Sequence, residues 1–266
     1  MRIFIIHLSK ATCTQWGLKE RNIEGLLQSL EQNKHPVEVF EAIYSKTSEG
    51  LHPLVAKHLH PFFIHPSVQT SAPKNWLSYL QACWYALQQE GEPMSLGELG
   101  CFASHYALWQ RCIALQEPIC ILEDDIILES HFFESLNYIE PRMSLLHWVR
   151  LMCLVNYPLE ATPVPRVFEL KKLTTGGSGT QGYIITPKAA SKFLKASQKW
   201  VIPVDSVMER IYLHGMAHYM VRPFMIRESD SGIYGNITRY RNIPWPTLLR
   251  FLRKLHPYYV RFQQRK

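Results

Sequence analysis

Nowhere in the 266 residues do the roughly 18 apolar side chains that a bilayer-spanning helix needs run together. The opening Met1-Arg2-Ile3-Phe4-Ile5-Ile6-His7-Leu8 has an apolar stretch too short for the central region of a signal peptide, and no small-residue cleavage site follows it. It reads as a first β-strand, and the expected location is the cytoplasm. The six cysteines, at 13, 83, 101, 112, 120 and 153, include no C-x-x-C pair, which argues against a zinc ribbon or a redox motif. With no export signal expected, they read as buried thiols rather than disulfides. Charge is scarce at 19%, while apolar residues make up 47%, so the chain can bury a core and is not a disordered solvating segment. Its length allows one large α/β domain or two small ones.

Acid is missing from the C-terminal stretch. Arg239, Arg241, Arg250, Arg253, Lys254, Arg261, Arg265 and Lys266 carry eight positive charges with no Asp or Glu among them, against a net +7 for the whole chain. Trp245, Leu248, Leu249, Leu252 and Leu255 recur at helical spacing between these cations, and Pro257 is expected to break the pattern. A basic amphipathic helix followed by Tyr258, Tyr259 and Phe262 suits an anionic membrane surface. Nucleic acid is not expected, since no recognised binding motif accompanies the charge.

Strand spacing at Ile3–Leu8, helical spacing from Thr14 to Leu30, and alternation over Val37–Ala42 predict a β-α-β start. Residues 44 to 75 have poor periodicity and read as an irregular connection. Helices are predicted from Trp76 to Leu87 and from Leu96 to Leu115. The second opens with Ser95 as N-cap and Glu98 three residues on, a capping box. Pro118 to Leu122 predicts a buried strand. Further strands are expected at Trp148–Leu154 and Gln181–Ile185, with a glycine-rich turn at Thr174–Gly179, and Pro187 opens a helix.

Glu123-Asp124-Asp125 leaves the strand at its C-terminal end, where an open α/β sheet places its ligands. Alternation puts Glu123 and Asp125 on one side and Asp124 on the other. Two carboxylates so placed suit a hard divalent cation, Mn²⁺ or Mg²⁺, which keeps positions for substrate phosphates. Acids after a strand also cap helices or face solvent. Here, however, apolar runs bracket them on both sides, and placing three carboxylates there costs stability unless something binds.

Several segments together resemble glycosyltransferase family 25, the bacterial lipooligosaccharide galactosyltransferases related to the animal collagen galactosyltransferases. They are Ser95-Leu96-Gly97-Glu98-Leu99-Gly100-Cys101-Phe102-Ala103-Ser104-His105, then Ile121-Leu122-Glu123-Asp124-Asp125, then Gly179-Thr180-Gln181-Gly182-Tyr183. Val39-Phe40-Glu41-Ala42-Ile43 and Ile202-Pro203-Val204-Asp205 match in place and order. The resemblance covers roughly residues 2 to 235.

It implies an α/β fold of the GT-A-like (Rossmann-like) nucleotide-sugar-binding kind, a mixed central sheet flanked by helices. It implies a catalytic domain over 1–238, with 239–266 as the basic segment. The implied activity is inverting, metal-dependent transfer of galactose from UDP-galactose to a lipooligosaccharide or lipopolysaccharide acceptor, at the cytoplasmic face of the inner membrane. UDP-glucose or a UDP-N-acetylhexosamine is the alternative donor. From another class, a non-catalytic basic protein docking on membrane or nucleic acid is the alternative function.

The resemblance implies Glu123 and Asp125 at the metal, with Glu123 and Asp124 also near the donor. Asp205 is the candidate base for the acceptor hydroxyl. His214 and His218 are candidates for a late third metal ligand. Ala42, Gly100, Ser104, His105, Gly182 and Tyr183 are candidate donor-side residues, together with His7, which stands where the family usually carries Asn.

Overall fold

A computed structural model describes residues 1–31, 33–68, 73–154, 169–173, 179–229 and 245–263. The expected glycine-rich turn at 174–179 lies almost wholly outside them. The chain divides into two compact units. The first comprises residues 1–42, 104–196 and 205–234, and the second comprises 43–103, 197–204 and 235–266.

In chain order the first unit begins with strand β1 (Arg2–His7), helices α1 (Lys10–Trp16) and α2 (Glu24–Glu31), and strand β2 (Val37–Glu41). The second holds a small hairpin of β3 (Lys46–Thr47) and β4 (Gly50–Leu51), then α3 (Pro53–His58) and α4 (Trp76–Gln89). Helix α5 (Leu96–Leu115) starts in the second unit and continues into the first. The first unit resumes with β5 (Ile119–Glu123), β6 (Ile126–Leu128), α6 (Phe132–Ile139), α7 (Met143–Leu146), β7 (Trp148–Arg150), β8 (Glu169–Leu173), β9 (Gly182–Ile185) and α8 (Pro187–Ala196). Next come α9 (Val204–Glu209), α10 (Ile211–His214), β10 (His218–Arg222) and β11 (Ile226–Glu228), and α11 (Thr247–Gln263) belongs to the second unit.

Seven strands form one mixed sheet in the order β2-β1-β5-β9-β7-β10-β8. Strand β5 runs parallel to β1 and antiparallel to β9. Its Ile119–Leu122 stretch is fully buried, as a short apolar strand between two neighbours should be. Ile3, Ile5, Cys120, Leu122, Val149 and Ile184 join Phe132, Leu136 and Ile139 of α6 in one apolar core. The register pairs Ile6 with Glu123, so His7 ends β1 level with the start of the acidic turn. A mixed sheet flanked by helices is the expected GT-A-like, Rossmann-like architecture.

Several elements differ from the sequence expectation, and the strand expected over Trp148–Leu154 ends at Arg150. The single helix over Thr14–Leu30 is two helices, because Gly17 takes a left-handed conformation (φ 62°) and closes α1, its N–H bonding back to Thr14. Helix α11 does not stop at Pro257 but runs through it to Gln263. Pro257 is exposed, while Leu249 and His256 share a buried stripe, and the His256 ring bonds the Leu87 carbonyl of α4 at 2.8 Å. Packing against α4 outweighs the single intrahelical bond that proline forfeits.

The predicted capping box is present. Ser95 N–H donates to Glu98 Oε2 at 2.8 Å and Glu98 N–H to Ser95 Oγ at 3.3 Å. The stretch read as an irregular connection carries the hairpin and α3, whose start is set by Pro53 after the His52 cap.

Candidate active site

The strand character of β5 ends at Glu123, and the chain turns at Asp124–Asp125 before β6, so side-chain alternation does not carry across the three acids. Strand β6 pairs antiparallel with β11, and Ser229 N–H holds the Asp125 carbonyl at 2.8 Å. The turn is thereby anchored on both sides, and each carboxylate has its own surroundings.

Glu123 Oε1 accepts from the His105 Nε2 at 3.2 Å and from the Thr180 hydroxyl. His105 Nδ1 lies 2.8 Å from the Tyr183 hydroxyl, and that oxygen accepts from Trp109 Nε1–H at 2.9 Å. A carboxylate can only accept, so Nε2–H of His105 donates to Glu123, and the ring is held in place on its other side by the Tyr183 hydroxyl. Burial alone would raise the Glu123 carboxyl, but the hydrogen bonds from His105 and Thr180 hold it below the usual carboxylate range. His105 and Tyr183 are therefore connected to the acidic turn, in a run of buried polar groups that starts at Trp109 on α5.

Asp124 faces the other way. Its Oδ2 meets His7 Nδ1 at 2.8 Å, and its Oδ1 accepts from Arg21 Nη1. Burial opposes ionisation there, yet His7 and Arg21 together keep its carboxyl below the ordinary range. The second terminal nitrogen of Arg21 reaches Asp125 Oδ2 at 3.3 Å, so one guanidinium spans two carboxylates. Asp125 Oδ1 is buried with no hydrogen-bond partner among the described residues. Burial and then the charge of Glu123 push the Asp125 carboxyl up to about 6, against the pull of Arg21.

Among the other expected site residues, Ala42 sits just past β2, its N–H donating to the His7 carbonyl at 2.8 Å. Ser104 is buried on α5. Gly182 answers to packing: a Cβ there would lie 2.4 Å from Ile226 Cδ1 and 3.1 Å from Leu122 Cδ2. At Gly100 a Cβ would lie 2.8 Å from the Ile43 carbonyl oxygen, so its lack of a side chain serves close backbone approach in the second unit. Asp205 lies in the first turn of α9, where its Oδ1 accepts from Ser206 N–H at 2.7 Å.

The late histidines are not brought to the acids. His214 uses both ring nitrogens on backbone, Nε2 at 3.2 Å from the Met208 carbonyl and Nδ1 accepting from Met216 N–H at 3.1 Å, so it has no lone pair for a metal. His218 stacks on Trp148 with ring centroids 4.2 Å apart. Burial pushes the two imidazoles down to about 4 and about 3, leaving them neutral core rings.

Sequence reasoning missed Arg21, Thr180 and Trp109. Arg21 falls in the link between α1 and α2 that periodicity read as helix, and nothing local marks it as the partner of acids a hundred residues on.

One helical turn before His105 on the same helix, Cys101 adds a thiol to the imidazole and the Glu123 carboxylate, a group of three side chains able to hold a metal ion. A thiolate and an imidazole make a softer donor set than Mn²⁺ or Mg²⁺ prefers. The carboxylates of Glu123 and Asp125 suit a hard ion better. The unpartnered Asp125 Oδ1 and the repulsion between the two acids are what such an ion would relieve.

A mixed α/β sheet with an acidic turn at the C-terminal end of a central strand defines the class of α/β folds that bind their ligands at strand ends. Within that class the chain belongs to glycosyltransferase family 25 (LPS biosynthesis protein), whose family model matches residues 2–208. It is 32% identical over 147 residues to a procollagen galactosyltransferase 1 of Danio rerio, covering 51% of this chain and 24% of that protein. It is 30% identical over 125 residues to a glycosyltransferase 25 family member of Aedes aegypti, covering 46% and 21%. It is 29% identical over 137 residues to a procollagen galactosyltransferase 2 of Homo sapiens, covering 48% and 21%. The chain thus matches about a fifth to a quarter of the length of these relatives.

Proposed function

We propose that this chain transfers galactose from UDP-galactose, with inversion, to a sugar of a lipooligosaccharide or lipopolysaccharide acceptor. The observation that carries the reading is the acidic turn itself. Three adjacent carboxylates end a buried strand, two of them are fixed by His105 and Thr180 or by His7 and Arg21, and Asp125 retains a buried oxygen without a hydrogen-bond partner among the described residues. A galactose donor is favoured by the galactosyltransferase names of the animal relatives, and a lipopolysaccharide-type acceptor by the family's description.

Glu123 and Asp125 would hold a Mn²⁺ or Mg²⁺ ion, which, when bound, neutralises the charge that develops on the departing diphosphate. The chain's own residues do the rest. His105, oriented by Tyr183, keeps Glu123 ionised and aimed. Arg21 holds Asp124 and Asp125 apart in charge and supplies a cation beside any diphosphate bound at the turn. Asp205, fixed by Ser206 N–H, takes the proton of the acceptor hydroxyl as that oxygen attacks the anomeric carbon from the face opposite the leaving group. The enzyme works as a peripheral protein at the cytoplasmic face of the inner membrane, with the basic α11 against anionic lipid.

A panel of UDP-galactose, UDP-glucose and UDP-N-acetylhexosamines with a truncated lipooligosaccharide acceptor tests the donor. Galactose transfer that depends on Mn²⁺ is expected; a clear preference for another hexose would reassign it. Absence of any Mn²⁺-dependent change in melting temperature with every UDP-sugar would remove the transferase reading.

A further inference from the structure

The second unit exposes an apolar face that its own fold does not cover. Helix α4 leaves Trp76, Leu77, Leu80 and Trp84 more than half exposed, Trp76 at 74%. At about 100° per residue these four fall within roughly a third of the helix circumference, while Ala82, Ala86 and Gln89 point into the unit from the opposite side. Helix α11 packs beside α4, joined by the His256 ring on the Leu87 carbonyl and by Trp84 edge-on to Tyr259 with ring centroids 6.0 Å apart. Its own exposed apolar stripe, Leu248, Phe251, Tyr258 and Phe262, lies on the Tyr259 side and so continues the α4 face. A third stripe of α11 borders it: Arg250, Lys254 and Arg261, all exposed.

Exposed aromatic and aliphatic groups on two packed helices, with cations along one edge, match the layering of a lipid surface. Tryptophan and tyrosine settle at the headgroup level and lysine and arginine reach anionic phosphates. Neither helix contains an acidic residue, so a second copy of the same face would offer these cations no partner. Arg253 is the cation that does find acids, Glu92 at 2.5 Å and Glu90 at 4.0 Å, and it lies on the packed side rather than in the exposed stripe.

We infer that α4 and α11 together form one in-plane docking surface for an anionic bilayer, with Trp76 and Trp84 of α4 as its apolar anchors and Arg250, Lys254 and Arg261 of α11 as its electrostatic edge. The inference deepens the peripheral-membrane part of the proposed function, and it does not depend on the donor or the transfer chemistry. It also makes α11 an integral part of the second unit rather than a detachable tail. Deleting the segment after Arg239 would uncover the packed side of α4, so point variants are the informative ones.

The test is sedimentation of the full chain with large unilamellar vesicles of phosphatidylethanolamine and phosphatidylglycerol, and with phosphatidylcholine vesicles as the uncharged control. The wild type is expected to bind the anionic vesicles at least tenfold more tightly than the control. Trp76→Ser with Trp84→Ser should weaken that binding about tenfold, and Arg250→Glu, Lys254→Glu and Arg261→Glu together should abolish it. Unchanged far-ultraviolet circular dichroism and unchanged UDP-sugar hydrolysis would show that both variants fold.

If the tryptophan variant binds like wild type while the charge-reversed one does not, the two-helix surface is wrong and α11 alone carries the membrane contact. If the wild type ignores anionic vesicles, both the surface and the peripheral-membrane reading fall, while the transferase assay stands or fails separately. If the wild type ignores vesicles but forms a dimer that the tryptophan variant loses, a second copy covers the face and the inference is overturned.

Discussion

The acidic turn at 123–125 and the aromatic cluster around Trp148 both keep ionisable groups out of water in the same unit, but they do so in opposite ways. At the turn the charges are retained. His105, Thr180, His7 and Arg21 supply hydrogen bonds and countercharge to Glu123 and Asp124, and Asp125 is left under-satisfied. Around Trp148 the two histidines give up their charge, as neutral rings packed against Phe193 and Trp148, beside the buried Arg150 guanidinium that disfavours a second cation at His218. Asp125 carries a buried charge that a bound cation would relieve, whereas the two histidines meet burial by staying neutral and so present no charge to a ligand.

The difference has a sign that pH can read. Asp125 has its folded pKa raised to about 6, so the fold binds its proton more tightly than the unfolded chain does. Its contribution therefore improves as pH falls from 6 towards 4. The histidines have folded values lowered to about 4 and about 3, so the unfolded chain binds their protons first. Their contribution worsens as pH falls below 6.5.

The largest expected effect comes from Asp125→Ala. It should lower Mn²⁺-dependent UDP-hexose turnover by about 10²–10³-fold, the scale of losing one group that stabilises developing charge. Full activity in that variant would break the contrast at its root.

Arg21→Ala comes next. Without the guanidinium, Asp124 and Asp125 repel each other, and the metal-free protein should lose about 2–4 kcal/mol at pH 8 in urea unfolding. Added Mn²⁺ should raise the melting temperature of this variant more than that of wild type. Equal shifts would mean that Arg21 and the cation do not share the same carboxylates.

His218→Phe keeps the stacking surface on Trp148 and removes the titratable ring. Turnover should stay within about threefold of wild type, because a core residue does not act on the transition state. The variant should also lose roughly 1–3 kcal/mol of the acid-induced destabilisation between pH 6.5 and 4. A hundredfold fall in turnover with normal stability would move the histidine from the core to the active site.

The smallest effect is expected for Asp125→Asn in metal-free protein. At pH 8 the melting temperature should rise by roughly 2–6 °C as a penalised charge is removed, and the gain should vanish by pH 4. A gain that persisted at pH 4 would point to packing rather than charge.

Much of this was readable along the chain. Ile119–Leu122 could only be a buried strand, Ser95 and Glu98 announced a helix start, and three acids between apolar runs demanded a reason to be there. The order of the motifs pointed to the family that the model match then showed. What escaped was long-range. Arg21 meets Asp124 only because the α1–α2 link passes beside the end of β5, and Thr180 meets Glu123 only because β9 lies next to it. Periodicity also ran through Gly17, where backbone geometry closes a helix, and expected a stop at Pro257, where packing on α4 maintains one.

The sequence by itself determined the strand that ends in acids, the polarity of the chain's two ends and the family pattern, because local propensity and hydrophobic period are properties of neighbouring residues. The tertiary structure alone decided which acid is ionised, which histidines are silent, why residue 182 must be glycine, and that α11 shares its exposed face with α4. Those outcomes depend on desolvation and on partners far away in sequence, and no local pattern records either.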